Sequence, residues 1–284
     1  SYLRFLLRST NAHGVHSPFV FDLVTKCFYD QSNYPQYTTL RQFRKELRQS
    51  NETIQVLDFG AGSRDHNLQK VQTRPVNQML HNASISPKRQ RLLFRLVHYF
   101  NPENILELGT HLGMGTIAMA LGNPKAKITS VEGCPNTADY TQSNLQSWFD
   151  KIYSEAKIAS HDENHVKILN TTFAEYFKNT RSDKNSNDAA VNKKFDLIYL
   201  DGHHNGPATL EYFNYIKKLM HNDSLLIIDD IHWSEDMTHA WNQIIAQPEV
   251  HVSIDTYFWG LVFLRKEQNK EHFTIRTSWE WTEK

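Results

Sequence analysis

The chain has 284 residues, 39 % of them hydrophobic, which suits one large domain or one domain with a smaller appendage. Lys plus Arg and Asp plus Glu both total 31, so the formal charge is zero and the basic excess of a general nucleic-acid binder is absent. No apolar run approaches the roughly 20 residues that span a bilayer, and the two distant cysteines, Cys27 and Cys134, form no disulfide framework, so a cytoplasmic protein is expected.

Residues 1–50 read as helical and rich in aromatics. In HSPFVFDLVTKCFYD the apolar residues Phe19, Val20, Leu23, Val24 and Phe28 follow helical spacing, and Ser17-Pro18 is a start signal. VLDFGAGS (56–63) looks like a strand entering a glycine turn. RDHNLQKVQTRPVNQMLHNAS (64–84) is polar, weakly periodic and reads as a connector. SPKRQRLLFRLVHYF, from Ser86, puts Leu92, Leu93, Leu96, Val97 and Phe100 on one helix face, and Asn101-Pro102 stops it.

Strands and helices then alternate. ILEL (105–108), KITSVE (127–132), VKIL (166–169), FDLIYLD (195–201) and LLIIDD (225–230) read as strands. Residues 114–121, 135–150, 208–220 and 234–246 read as helices, with a short one near Phe173–Phe177. RSDKNSNDAAVNKK (181–194) is a polar insertion. HVSIDTY (251–257) and GLVFLRK (260–266) make an antiparallel pair, and FTIRT (273–277) an added edge. Such repeated βα units with continuous apolar strands predict a mostly parallel α/β sheet covered on both faces, with its ligand site beyond the carboxyl ends of the strands.

Two glycine loops compete for that site. ILELGTHLGMGT (105–116) leads from a strand into an apolar helix, and the next strand ends on Glu132, 23 residues after Gly109, where an open α/β site places a carboxylate for ribose hydroxyls. DFGAGS has neither the helix nor the acid and reads as a turn. The spacing Gly109-x-x-x-Gly113-x-Gly115 is neither a dinucleotide fingerprint nor a P-loop. An acid two residues before the first glycine suits a cationic ligand better than a pyrophosphate.

LELGTHLGMGT followed by VEG resembles motif I and the next acidic strand end of the class I S-adenosylmethionine-dependent methyltransferases, over roughly residues 86–266. The resemblance implies a Rossmann-like domain at 86–284, a seven-stranded, mostly parallel sheet with a C-terminal antiparallel hairpin; residues 1–85 lie outside it and read as an N-terminal helical extension that caps or dimerises. It implies that Glu107, Gly109, Thr110, His111 and Gly113 line the methionine and ribose part of S-adenosylmethionine, that Glu132 holds the ribose, and that Asn170 to Phe173, Thr172 among them, lie near the adenine.

Asp201 in LIYLDGHH and Asp229-Asp230 in LIIDDIHW end two strands. Clustered carboxylates repel, and hard oxygens of this kind suit Mg²⁺. Alternatively the acids are turn or cap residues, or His203 and His204 join an aspartate at zinc. The layout resembles the catechol and caffeoyl-CoA type of O-methyltransferase, with Asp230 where that family has Asn, and a broader set of small-molecule methyltransferases with an Asp-Asp pair. By that resemblance Asp201, Asp229 and Asp230 bind the metal, and His204 stands where the catechol type has a lysine. His204 is the expected general base, with His203 and His232 as rivals. Trp233, immediately after the acid pair, is expected in the site; Trp241 and Phe258 fit an acceptor pocket or the core. The expected reaction is methyl transfer to an oxygen of a small molecule, with no nucleic-acid or membrane partner. Metal-independent methylation of nitrogen, carbon or a macromolecule, and a non-catalytic scaffold, are the alternatives.

Overall fold

A computed structural model describes residues 2–57, 71–157, 165–182 and 194–277. The chain divides into two compact units: a continuous one, Ser32–Val191, and a split one that joins Ser1–Gln31 to Asn192–Lys284.

The split unit begins with α1 (Tyr2–Arg8) and α2 (Pro18–Leu23), which runs on as π-helical turns over Val24–Phe28. Ser17 caps α2 by accepting from the Val20 N–H, and Pro18 fits the first turn, where no amide donor is needed. Val20, Leu23, Val24 and Phe28 are fully buried, as their helical spacing predicts.

The continuous unit opens with α3 (Gln36–Gln49), which buries Leu40, Phe43 and Leu47. The stretch expected to be a connector is more ordered than its polarity suggests. β1 (Thr53–Leu57) pairs antiparallel with β2 (Val71–Pro75), and α4 (Val76–Ala83) follows. Only two strands pair there and most of β2 is exposed, so its sequence shows no apolar alternation. The DFGAGS turn lies outside the described residues, as does most of the 181–194 insertion. α5 (Pro87–Phe100) is capped by Ser86 and ends at Asn101 in the left-handed conformation. β3 (Asn104–Leu108), α6 (Met114–Gly122), β4 (Lys127–Glu132), α7 (Pro135–Glu155), β5 (Val166–Asn170) and α8 (Phe173–Ser182) then alternate. β3, β4 and β5 are parallel neighbours in that order, with a helix in each crossover.

The rest of the split unit is β6 (Phe195–Leu200), α9 (Gly206–Leu219), β7 (Met220–Asp229), α10 (Glu235–Ala246), β8 (Val252–Asp255), β9 (Trp259–Phe263) and β10 (Glu271–Thr274). β6 and β7 are parallel, β7–β9 and β9–β8 antiparallel, and β8–β10 parallel. The expected 251–266 hairpin and the edge strand are therefore present. β7 starts five residues before the expected LLIIDD strand. Its polar opening, MHND, is held where Ser224 Oγ accepts from the His221 N–H and donates to the Phe195 carbonyl. Trp241 is core: its ring lies where a Cβ on Gly260 of β9 would be. Among the described residues no helix is long and apolar enough to cross a membrane.

Candidate active site

In the continuous unit the carboxyl ends of β3 and β4 build a cradle. The loop after β3 needs three left-handed residues: Gly109 at φ 110°, His111 at φ 47° and Gly113 at φ 75°. The amides of Gly109 and Thr110 both donate to the Val131 carbonyl, at 3.0 and 3.3 Å, which ties the loop to β4. Gly113 is required by packing on α7. A Cβ there would stand 2.6 Å from Leu145 Cδ1 and 2.9 Å from Thr141 Cγ2, in a backbone conformation that L-residues disfavour.

Glu132 ends β4 and is bound into the loop. Its Oε2 accepts from the His111 N–H and its Oε1 from the Cys134 N–H, each at 2.9 Å. Burial nonetheless raises its pKa, against the lowering effect of those amides. Asn170 Nδ2 donates to the Glu132 carbonyl at 3.0 Å, so Asn170 lies beside this acid. Thr172 is otherwise engaged. Its hydroxyl and amide form a capping box with Glu175 at the start of α8.

Glu107 lies under the loop and is only 1 % exposed. Its Oε2 accepts from the hydroxyls of Thr116, at 2.6 Å, and Ser130, at 2.5 Å. Ser130 Oγ is also 2.6 Å from Thr110 Oγ1. With its proton directed to Glu107, Ser130 accepts from Thr110, so those two hydroxyls form a relay ending on the acid while Thr116 donates to it separately. Glu107 Oε1 is buried without a hydrogen-bond partner among the described residues. Burial raises its pKa to about 7, with Ser130 and Thr116 pulling down and Glu132 pushing up. Thr110, 2 % exposed, thus supports the loop from beneath. The His111 ring meets Ser84 Oγ at 3.3 Å, and burial holds it neutral, with a pKa of about 4. The sequence reading missed Ser130, Thr116 and Ser84. The first two carry a legible signal, as hydroxyl residues on the strand and helix that face the motif acid.

The second group is at the carboxyl ends of β6 and β7, in the split unit. Leu200 and Ile228 are register partners, so Asp201 and Asp229 follow at neighbouring strand ends. Asp229 is 5 % exposed and its Oδ1 accepts from the Asp230 N–H; Asp230 turns the chain at φ 51°. The expected three-carboxylate set does not form: among the described residues no group of three or more His, Cys, Asp or Glu is arranged to hold a metal. The same finding leaves the zinc arrangement without its ligands. Asp230, at φ 51°, follows the last residue of β7.

The histidines separate by what holds them. His203 Nδ1 is 3.1 Å from the Tyr212 hydroxyl. His232 is engaged at both nitrogens, by Asp255 at 2.8 Å and by Thr238 at 3.2 Å. His204 Nε2 is 3.8 Å from Asp201 Oδ1, and the other Asp201 oxygen accepts from the Tyr199 hydroxyl at 3.0 Å. Trp233 is 71 % exposed, with its ring centroid 6.1 Å from that of His204. His203 and His204 both have positive φ, at 65° and 33°, strain of the kind that gathers at functional sites.

Residues 106–231 match the Methyltransf_24 family, described as a methyltransferase domain. The match begins at the strand before the glycine loop and ends just past the acid pair. The matched stretch is a little under half of the chain. The catechol O-methyltransferase of Niastella koreensis is 26 % identical over 149 residues, 52 % of this chain and 58 % of that protein, so the chain spans less than two thirds of the relative's length. An SAH-bound methyltransferase from Podospora anserina has a TM-score of 0.53 at 12 % identity, covering 88 % of this chain and 97 % of its own. The O-methyltransferase TomG from Streptomyces achromogenes, in complex with SAM, has a TM-score of 0.51 at 15 % identity, covering 82 % and 91 %. At these identities the likeness is one of fold, the Rossmann-like methyltransferase fold expected from the sequence.

Proposed function

We propose that this methyltransferase-domain chain transfers a methyl group from S-adenosylmethionine to an oxygen of a small molecule. The observation that carries the reading is the cradle itself: two acids at neighbouring strand ends, one bound by backbone amides and the other with a buried oxygen that has no hydrogen-bond partner among the described residues. Glu132 suits a ribose diol, and the acidic pair suits a cationic rather than an anionic ligand. The cofactor supplies a methyl group on a positively charged sulfur, which leaves as a neutral thioether.

His204 is the base of this reading. With Nε2–H toward Asp201, the lone pair of Nδ1 takes the proton from the acceptor hydroxyl as the O–CH₃ bond forms. Asp201 Oδ1 lies 3.8 Å from the ring, and the Tyr199 hydroxyl donates to the other Asp201 oxygen. The rival histidines have weaker claims because Tyr212 holds one and Asp255 with Thr238 holds the other. The exposed Trp233 ring beside His204 offers an apolar face to an acceptor. A divalent ion would have Asp201 and Asp229 as its protein ligands, and two carboxylates with water are enough for Mg²⁺. Metal-independent transfer with His204 alone is the second reading.

Calorimetric titration with S-adenosylhomocysteine tests the cofactor. Micromolar binding is expected, with a loss of about tenfold or more in Glu132→Ala, since charged hydrogen bonds contribute roughly 1.5–3 kcal/mol. Unchanged affinity in the variant would remove Glu132 from the site, and no binding to the parent protein would remove the cofactor.

A further inference from the structure

Arg44 of α3 is a buried cation that the reaction above does not use. It is 9 % exposed, and burial, with Arg48 nearby, lowers its pKa to about 10, so it stays charged at neutral pH. Its Nη2 donates to the Ile85 carbonyl and, at 3.4 Å, to Gln90 Oε1. Both acceptors are neutral oxygens, and Arg44 Nε has no hydrogen-bond partner among the described residues. A charge held in this way costs more to bury than an apolar side chain of the same size, so core packing does not account for it. What the guanidinium does is join two segments that grip the glycine loop. Ser84, next to Ile85, meets the ring of His111 in the middle of the loop. Gln90, 2 % exposed, donates from Nε2 to the Met114 carbonyl at 2.9 Å, directly after Gly113.

The loop needs such support. His111 is left-handed between two left-handed glycines, a shape that the isolated chain does not favour. From β4 and α7, the Val131 carbonyl takes the Gly109 and Thr110 amides, and the Thr141 hydroxyl donates to the His111 carbonyl. From the chain before β3, Ser84 and Gln90 hold it, and Arg44 is bonded to both of their segments. We propose that Arg44 is a positioning residue for the S-adenosyl cofactor, holding the glycine loop to the shape the ligand needs through Ser84 and Gln90. All three residues precede the matched stretch 106–231, so the N-terminal part of the chain belongs to the cofactor site. The assignment rests on the cofactor reading above.

The test is a double-mutant cycle read by calorimetric titration with S-adenosylhomocysteine, well below every melting temperature. The proteins are the parent chain, Arg44→Met, Arg44→Lys, Ser84→Ala, and each Arg44 variant combined with Ser84→Ala. Arg44→Met is expected to weaken binding about 10- to 100-fold and Ser84→Ala about 3- to 10-fold, the ranges for a charged and a neutral hydrogen bond. An indirect role shows as non-additivity: adding Ser84→Ala to Arg44→Met should weaken binding by less than about twofold more, because the arm through Ser84 is already slack. Arg44→Lys, which keeps the charge without the fork, should recover part of the affinity, and it carries the cycle if Arg44→Met does not fold. Without ligand, amide hydrogen exchange over residues 109–114 should quicken about tenfold or more in the Arg44 variants. Losses that simply add would make Arg44 independent of Ser84 and overturn the assignment. Parent-like affinity in every Arg44 variant that folds, or unchanged exchange in the loop, would overturn it as well. A parent chain that binds no S-adenosylhomocysteine would fail the cofactor reading first and this one with it.

Discussion

Replacing Glu107 with Gln removes a titrating group from the centre of the cradle while keeping its shape. Glu107 is fully buried, and its pKa rises from 4.5 in the unfolded chain to about 7 in the folded one. Between those values the folded state holds a proton that the unfolded state has released. Stability from this group is therefore complete below pH 4.5 and falls as pH rises to about 7. At about 1.4 kcal/mol per unit, the loss is of the order of 3 kcal/mol. Urea unfolding at pH 5 and pH 8 should show the parent protein losing roughly 2–3 kcal/mol more than Glu107→Gln over that interval. The amide also leaves a buried N–H without an acceptor where Oε1 stood, which lowers stability by about 1–3 kcal/mol at both pH values and does not change the slope. Parallel pH profiles for the two proteins would refute the argument, because they would mean that Glu107 is already ionised at pH 5. The same proton links to ligand: a cation favours ionised Glu107, so its binding should release protons near neutral pH.

Gly113→Ala combines a left-handed backbone with overlap on Leu145 and Thr141, and should destabilise by about 2–5 kcal/mol, seen as a melting temperature roughly 5–15 °C lower. A fall of only a degree or two would show that α7 moves away freely. His204→Gln should lower kcat about 10²- to 10⁴-fold with cofactor affinity unchanged, and near-parent turnover would return the base role to another group. Chelator separates the two readings of the strand-end acids. Turnover abolished by EDTA and restored by Mg²⁺ assigns Asp201 and Asp229 to a metal, whereas turnover that survives, yet falls in Asp201→Asn, assigns Asp201 to orienting His204.

Wherever a segment buries one whole face or both, its sequence announces it. β3, β6 and the second half of β7 are continuous apolar runs because helices or neighbouring strands exclude water from both sides. Ser17-Pro18 and Ser86-Pro87 start α2 and α5 because capping is decided within four residues. The glycine loop and Glu132 were legible for the same reason: the turn and the strand end are local. β2 was not legible, because a strand in an exposed two-stranded hairpin keeps water on its side chains and shows no period.

The chemistry of the candidate site was settled by contacts distant in sequence. Three strand-end aspartates read as a ligand set, yet among the described residues no group of three or more His, Cys, Asp or Glu is arranged to hold a metal, and sequence does not give that arrangement. Thr172 reads as a ligand residue until Glu175 claims it for a cap. His204 is the base expected from sequence, and its rivals His203 and His232 are held by Tyr212 and by Thr238 with Asp255, none of them adjacent to them in the chain. The sequence by itself determined the order of strands and helices, the loop and the acid beside it, since each follows from burial or turn geometry over a few residues. Only the tertiary structure decided which side chains are already bonded and which polar atom is left without a partner, because satisfaction of a buried group depends on neighbours that folding alone brings within 3 Å.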